Sequence, residues 1–350
     1  MIVGATVSVA ALAVALPLML IDGDTATNAD RQTNPLHDAR LYVDPESDAA
    51  QQAEQWQATR QADATAMRAL AEQPMAIWLT SEGSLDDKLM AALRKSNEAG
   101  TVPVLVAYDI QDRDCGLYSA GGAKNVTEYR RFIDKMADMI GDDRVVVILE
   151  PDAVANLVAR KSGECLDADG RQDQYRSLSY ASQRLGGLKH ADVYIDAGHS
   201  GWVKDKPVLA EALERAGIGQ TSGFSLNVSN FRPTDETVEY GRELSRLADD
   251  SHFVIDTSRN GNGVYVNRKF PDHGWCNPPG RALGHYPTTK TGEPSVDAYL
   301  YIKTPGESDG QDPDKRKCFD GPKAGQWWPE YALGLVQRWP QRLQPAEPEL

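Results

Sequence analysis

Short apolar runs rich in β-branched residues alternate with longer stretches of helical periodicity along most of the chain. The runs 75–79, 102–108, 145–149, 193–195, 223–228, 253–255 and 299–302 predict buried strands. Between and after them, 85–99, 127–140, 175–185, 207–216, 234–247 and 328–338 carry the apolar spacing of helices. Ser84 stands at a helix start, and Gly100 and Gly141 at helix ends. Seven strands in strand–helix alternation predict an α/β protein with a parallel sheet, closed into a barrel or open and doubly wound.

The polar residues after each run decide between the two. Trp78 closes the first; Asp109, Asp112 and Asp114 follow the second, Glu150 and Asp152 the third. Asp196, His199 and Trp202 follow the fourth, and Asn227, Ser229 and Asn230 the fifth. Asp256, Arg259 and Asn260 follow the sixth, and Lys303, Glu307 and Asp309 the seventh. An Asp after a strand is also a favoured helix N-cap, but capping does not call for the Arg and Cys interleaved in Asp112-Arg113-Asp114-Cys115. In a barrel all these strand ends converge on one face, whereas an open sheet spreads them along an edge. Chemistry at all seven ends favours a seven-stranded parallel β/α barrel.

Composition narrows the partners. The 350 residues, 41% hydrophobic and 25% charged, suit one large globular domain, and a net charge of −14 argues against nucleic acid and anionic membrane. Ile2 to Ile21 is almost wholly apolar and a polar stretch follows, so residues 1–30 read as a signal peptide or membrane anchor with a linker; Ala26 and Ala29 are the small residues near a cleavage point. Residues 31–345 then form the folded part of a secreted protein, anchored only if the N-terminal segment is retained. Cys115, Cys165, Cys276 and Cys318 in an exported chain predict two disulfides; three pairings are possible and the sequential one is the simplest. No Cys-x-x-Cys unit points to zinc. The Gly/Pro-rich stretch 271–294 is too long for a plain connection, which suggests a functional loop.

Two carboxylates facing one cleft suffice for acid/base cleavage of a glycosidic bond. Trp78, Trp202 and Trp275, beside polar turns or in the long loop, offer faces for sugar rings, while Trp56, Trp327, Trp328 and Trp339 read as core. His199 lacks a second His at ligand spacing, so it reads as a sugar or structural hydrogen-bonding group, and no metal is expected. Asp167-Ala168-Asp169-Gly170 lacks the rest of a calcium loop and reads as a turn. No Gly-x-Ser-x-Gly elbow, Walker loop or dinucleotide fingerprint occurs, and no cofactor is expected.

Asp112-Arg113-Asp114-Cys115, Leu149-Glu150-Pro151-Asp152, Asp196-Ala197-Gly198-His199-Ser200-Gly201-Trp202, Leu226-Asn227-Val228-Ser229-Asn230 and Lys303-Thr304-Pro305-Gly306-Glu307-Ser308-Asp309-Gly310 together resemble glycoside hydrolase family 6. The likeness runs from Asn34-Pro35 to the last helix. It implies cellulases that cleave β-1,4-glucan with inversion on a distorted seven-stranded barrel. By the same resemblance Asp152 is the general acid, and Asp114 raises the acid's pKa and organises the water. Asp309 is the proposed base, and Tyr108 lies beneath the sugar at the cleavage point. The resemblance assigns Asp196, Asn230, Lys303 and Glu307 to sugar binding and Trp78, Trp202 and Trp275 to stacking; His199 and Asn227, beside them, complete the candidate sugar contacts. It also implies the disulfides Cys115–Cys165 and Cys276–Cys318. Two departures stand out: Gln111 replaces a usual Pro, and Ala120 replaces a Ser in a loop that is mobile in the family, leaving Ser119 to serve. By the same resemblance, the short connection 115–129 and the intermediate 309–326 imply an endo-β-1,4-glucanase rather than a cellobiohydrolase; a monomer is expected. A non-catalytic glucan-binding protein would lack an acid, and all three are present.

Overall fold

The computed structural model describes residue 1 and residues 33–83, 85–160, 164–266, 274–312 and 318–340. The apolar N-terminal run, Ala26, Ala29, Ser84 and residues 271–273 of the Gly/Pro-rich stretch lie outside the described residues. Seven strands, β1 (Ile77–Leu79), β2 (Val104–Ala107), β3 (Val145–Leu149), β4 (Ala191–Asp196), β5 (Gly223–Leu226), β6 (His252–Asp256) and β7 (Val296–Leu300), pair in parallel in their chain order. The sheet curls until its edges meet. Met75 bridges Tyr301 in parallel, the Ala76 amide donates to the Tyr301 carbonyl at 2.9 Å, and the Trp78 indole donates to the Ile302 carbonyl at 2.8 Å. No ladder joins β1 to β7, so the barrel is distorted and incompletely closed.

The period-2 alternation of the strands builds two cores. Val104, Val106, Val146, Ile148, Tyr194 and Val254 point into the barrel. Leu105, Ala107, Val147, Leu149, Val193 and Ile195 point outward. The outer layer is covered by α3 (Leu85–Ala99), α4 (Val126–Ile140), α5 (Ala153–Ala159), α6 (Ala168–Gly186), α7 (Lys206–Ala216) and α8 (Thr234–Leu247). Local chemistry fixes their ends. Asn125 Oδ1 accepts from the Glu128 amide at 3.0 Å to start α4, which Gly141 ends at φ 53°. Asp167 Oδ1 accepts from the Gly170 amide at 2.8 Å, so the 167–170 turn is the N-cap of α6. A third core joins α1 (Asp48–Trp56), α2 (Gln61–Ala71) and α9 (Pro329–Gln337), and Trp56, Trp327, Trp328 and Trp339 pack against it.

Three helices, α1, α2 and α5, are additional to those the pattern predicts, and β7 begins three residues before the predicted 299. The charged Asp297 obscures that strand in the sequence. It lies fully buried inside the barrel, where Tyr194 Oη and His252 Nδ1 each approach its carboxylate at 2.7 Å. A register shift between Phe253 and Val254 accommodates it. The cysteines pair sequentially, Cys115 with Cys165 and Cys276 with Cys318, at Cα separations of 5.4 and 4.7 Å. No helix among the described residues is long and apolar enough to cross a membrane.

Candidate active site

The C-terminal rim of the barrel is stitched by buried carboxylates, each gripping the backbone where a neighbouring strand ends. Asp109, after β2, accepts from the Ser81 amide and hydroxyl, both at 2.9 Å. Glu150, after β3, accepts from the amides of Asp109 and Ile110 at 3.0–3.1 Å. Asp196, ending β4, accepts from the amides of Asp152 at 2.9 Å and Gly198 at 3.2 Å, and from Ser225 Oγ at 3.2 Å. Asp256, ending β6, accepts from the amides of Ser229, Ser258, Ile302 and Lys303 at 2.9–3.3 Å. The chain leaves these clamps in left-handed conformations that non-glycine residues seldom adopt: φ is 54° at Asp112, 55° at Asp114, 49° at Glu150, 72° at Asp152 and 67° at Asn227. Such strain persists only where the surroundings over-determine it, and it collects at functional sites.

Above the rim lies a cavity of about 860 Å³. Asp114, Asp152 and Asp309 line it, with Tyr108 and the indoles of Trp78, Trp202 and Trp275. His199, Asn230, Lys303 and Glu307 also face it. Asp152 occupies the N-cap position of α5, yet its side chain makes no capping bond, so its carboxyl is left for the cavity. Burial pushes that carboxyl well above the usual range, and the neighbouring charges of Asp196, Asp114 and Asp309 push it further. Burial also raises Asp114, against the Ser119 amide that donates to it at 2.9 Å. Asp309 Oδ2 is held by Arg259 Nη1 and by the Asn277 amide, both at 2.9 Å. The His199 imidazole is pushed down to about 3 by burial and by the charges of Arg232 and Lys204, so it is neutral. Its Nδ1 accepts from the Gly201 amide at 3.1 Å, which leaves the proton on Nε2. Tyr118, from the loop after β2, reaches across to Trp275 with ring centroids 6.0 Å apart. It also covers Gly310, where any Cβ would sit 2.6 Å from its own.

Two expected sugar contacts lie elsewhere. Asp196 and Asn227 are fully buried and outside the cavity wall. The oxygens of Asp196 are spent on the rim, and Asn227 donates to the Asp256 carbonyl at 2.9 Å and accepts from the Arg232 amide at 3.0 Å. Both are framework groups. Conversely, Arg113 carries more than the sequence suggested. It lies over the Tyr108 ring at 4.8 Å, and donates to the carbonyls of Tyr108 at 2.7 Å and Ser119 at 2.8 Å, so it anchors the loop of Asp114. Gln111 bonds Ser177 and accepts from Gln174 at 2.8 Å, tying this loop to α6. Asn277 was hidden because its importance lies in main-chain and amide contacts to Asp309. No group of side chains able to hold a metal ion occurs among the described residues.

The rim also sets how stability responds to pH. Burial pushes Glu150 up to about 8, from an ordinary value of 4.5. Between those values the folded chain retains a proton that the unfolded chain releases, so stability is full below about 4.5 and falls as pH rises towards 8. Asp196, pushed up to about 7 by burial, acts in the same direction. The melting temperature is therefore expected to fall between pH 5 and 8.5, and Glu150→Gln, which cannot titrate, to flatten the decline. An identical slope in wild type and variant, followed by calorimetry, would remove Glu150 from the account.

Fold and cavity together have the form of a glycoside hydrolase: a curled parallel sheet that presents acids between aromatic faces at its C-terminal rim. The family model for glycosyl hydrolases family 6 matches residues 36–339, and the chain belongs to that family. It is 40% identical over 308 residues to endoglucanase A of Cellulomonas fimi, covering 85% of this chain and 62% of that relative. The chain thus spans less than two thirds of that relative's length. The endoglucanase Cel6 of Mycobacterium tuberculosis, solved with methyl-cellobiosyl-4-deoxy-4-thio-β-D-cellobioside, superposes with a TM-score of 0.78 at 39% identity, over 87% of this chain and 99% of that one. A probable 1,4-β-D-glucan cellobiohydrolase C of Neosartorya fischeri is 29% identical, over 77% of this chain and 70% of the relative.

Proposed function

We propose that this protein is an endo-β-1,4-glucanase that cleaves cellulose-type glucan with inversion at the anomeric carbon. The observation that carries the reading is the single cavity in which Asp152, Asp114 and Asp309 stand among Trp78, Trp202 and Trp275. Asp152, kept protonated by burial and by its carboxylate neighbours, donates to the leaving oxygen. Asp114 supplies part of that electrostatic pressure and, with Ser119 beside it, orders the attacking water. Asp309, clamped by Arg259 and Asn277, is the base on the far side. Tyr108 lies under the reacting sugar, and the Trp78 ring meets it edge-on at 5.0 Å. Asn230, Lys303, Glu307 and the neutral His199 bond sugar hydroxyls. The enzyme works as a secreted monomer, with residues 1–30 as signal or anchor and 31–345 as catalytic domain.

The relatives called endoglucanases support the endo reading. The contact of Tyr118 with Trp275 and Gly310 crosses the cleft and favours a second reading, a cellobiohydrolase with an enclosed site. Proton NMR of the first products from cellopentaose, with viscosity followed against reducing ends on carboxymethylcellulose, tests both points. α-Anomers and an early fall in viscosity are expected. Initial β-anomer would mean a covalent intermediate and end the inverting mechanism; reducing ends without loss of viscosity would favour the exo-acting enzyme.

A further inference from the structure

We propose that Arg160 selects glucan units carrying a carboxylate in the part of the cleft at the end of α5; the inference rests on reading the cavity as a glucan cleft. Asp152, Asn156 and Arg160 are spaced four apart at the start, middle and end of α5, and all three line the cavity. The helix bonds link them in sequence, Asn156 amide to Asp152 carbonyl at 2.8 Å and Arg160 amide to Asn156 carbonyl at 3.2 Å. They therefore share one stripe of the helix, which carries Arg160 about 12 Å along the axis from the acid. Arg160 Nε donates to the buried Asn156 Oδ1 at 2.8 Å, which orients the guanidinium fork.

Among the described residues Arg160 makes no contact ion pair; its charge acts only from a distance, lowering the carboxyls of Asp114 and Asp152 against the burial that raises them. Arg113 pairs with Glu82 at 3.6 Å, Arg232 with Glu236 at 3.0 Å, Arg259 with Asp309 at 2.9 Å and Lys303 with Glu307 at 3.4 Å. Arg160 has no ion-pair partner among the described residues; Lys88, the other such cation of the cavity, belongs to α3. His199, beside Trp202, is uncharged. A neutral glucan is served by a cation whose charge is already paired, as that of Lys303 is by Glu307. A guanidinium held by one nitrogen keeps the rest of its planar fork for an anion, and a carboxylate matches it in two bonds. In a chain of net charge −14 this is a local exception that would draw an acidic sugar to one subsite. The carboxylate has two chemical sources, a C6-oxidised unit within the chain or an aldonate at the C1 end.

The test compares kcat/KM at one pH and low ionic strength on cellopentaose, on its C1-oxidised aldonate and on a cello-oligosaccharide with one glucuronosyl unit. Wild type, Arg160→Gln, Arg160→Lys and Arg160→Glu are each checked for an unchanged melting transition. Arg160→Gln is expected to lower the ratio of anionic to neutral kcat/KM about three- to tenfold, the range for a charge-assisted pair partly screened by solvent. Arg160→Glu should lower it further, Arg160→Lys restore part of it, and added salt narrow it in wild type. An effect confined to the aldonate assigns the subsite to the chain end, and one confined to the glucuronosyl substrate assigns it to the chain interior. Equal ratios in wild type and Arg160→Gln on both acidic substrates, or a salt-independent wild-type ratio, overturn the proposal. Loss of cellopentaose cleavage by wild type would instead overturn the glucanase reading beneath it.

Discussion

Replacing Asp152 by Asn is expected to lower kcat on cello-oligosaccharides about 10²–10⁴-fold, the usual worth of a positioned general acid. The amide keeps the size of the acid and the left-handed backbone that Asn tolerates, so folding should be spared. What it removes is the proton that burial and three neighbouring carboxylates hold on Asp152. A substrate whose leaving group is already strongly acidic needs little protonation, and its turnover should fall far less. Steady-state kinetics on both substrates separate the effects; near wild-type rates on cellopentaose would sink the assignment.

The largest loss of stability is expected from Asp256→Ala, about 3–5 kcal/mol, the scale for breaking a buried, fully engaged charged group. Four main-chain amides from the exits of β5, β6 and β7 converge on this one carboxylate, and alanine leaves all of them without an acceptor. Asp256→Asn retains one acceptor oxygen and should cost less. Urea denaturation followed by tryptophan fluorescence measures both, and a loss below about 1 kcal/mol for the alanine variant would mean that water replaces the carboxylate.

Much of this was legible because β-branched runs and terminal acids survive in any order of reading. β3 and α3 fall on the predicted residues, since 145–149 is a continuous apolar run and 85–99 has strong helical spacing. The start of β7 was not legible, because Asp297 breaks the apolar pattern and only Tyr194 and His252, distant in sequence, make it tolerable inside the barrel. α1 and α2 lie before the first strand, outside the strand–helix alternation, and the residues they bury are largely alanine. At the site, the sequence placed carboxylates at the rim but could not separate those that face the cavity from those that face main chain. Asp152 and Asp196 look alike as residues following a strand. Only the fold shows that one presents its oxygens to the cavity while the other holds the first one's amide.

The incomplete seam of the barrel gives Trp78 a second employment. Its indole nitrogen spans from β1 to the Ile302 carbonyl beyond β7, while its ring forms part of the cavity wall beside Tyr108 and Lys303. Under the proposed function, one side chain is thus both a surface for sugar and a rivet in the shell. The ring stands at the joint where the sheet is least continuous, so a substitution there touches the cavity wall and the closure of the barrel together. The platform cannot be exchanged for another aromatic residue on stacking grounds alone: Phe keeps a face for sugar but leaves the rivet out, and the joint would have to be remade elsewhere.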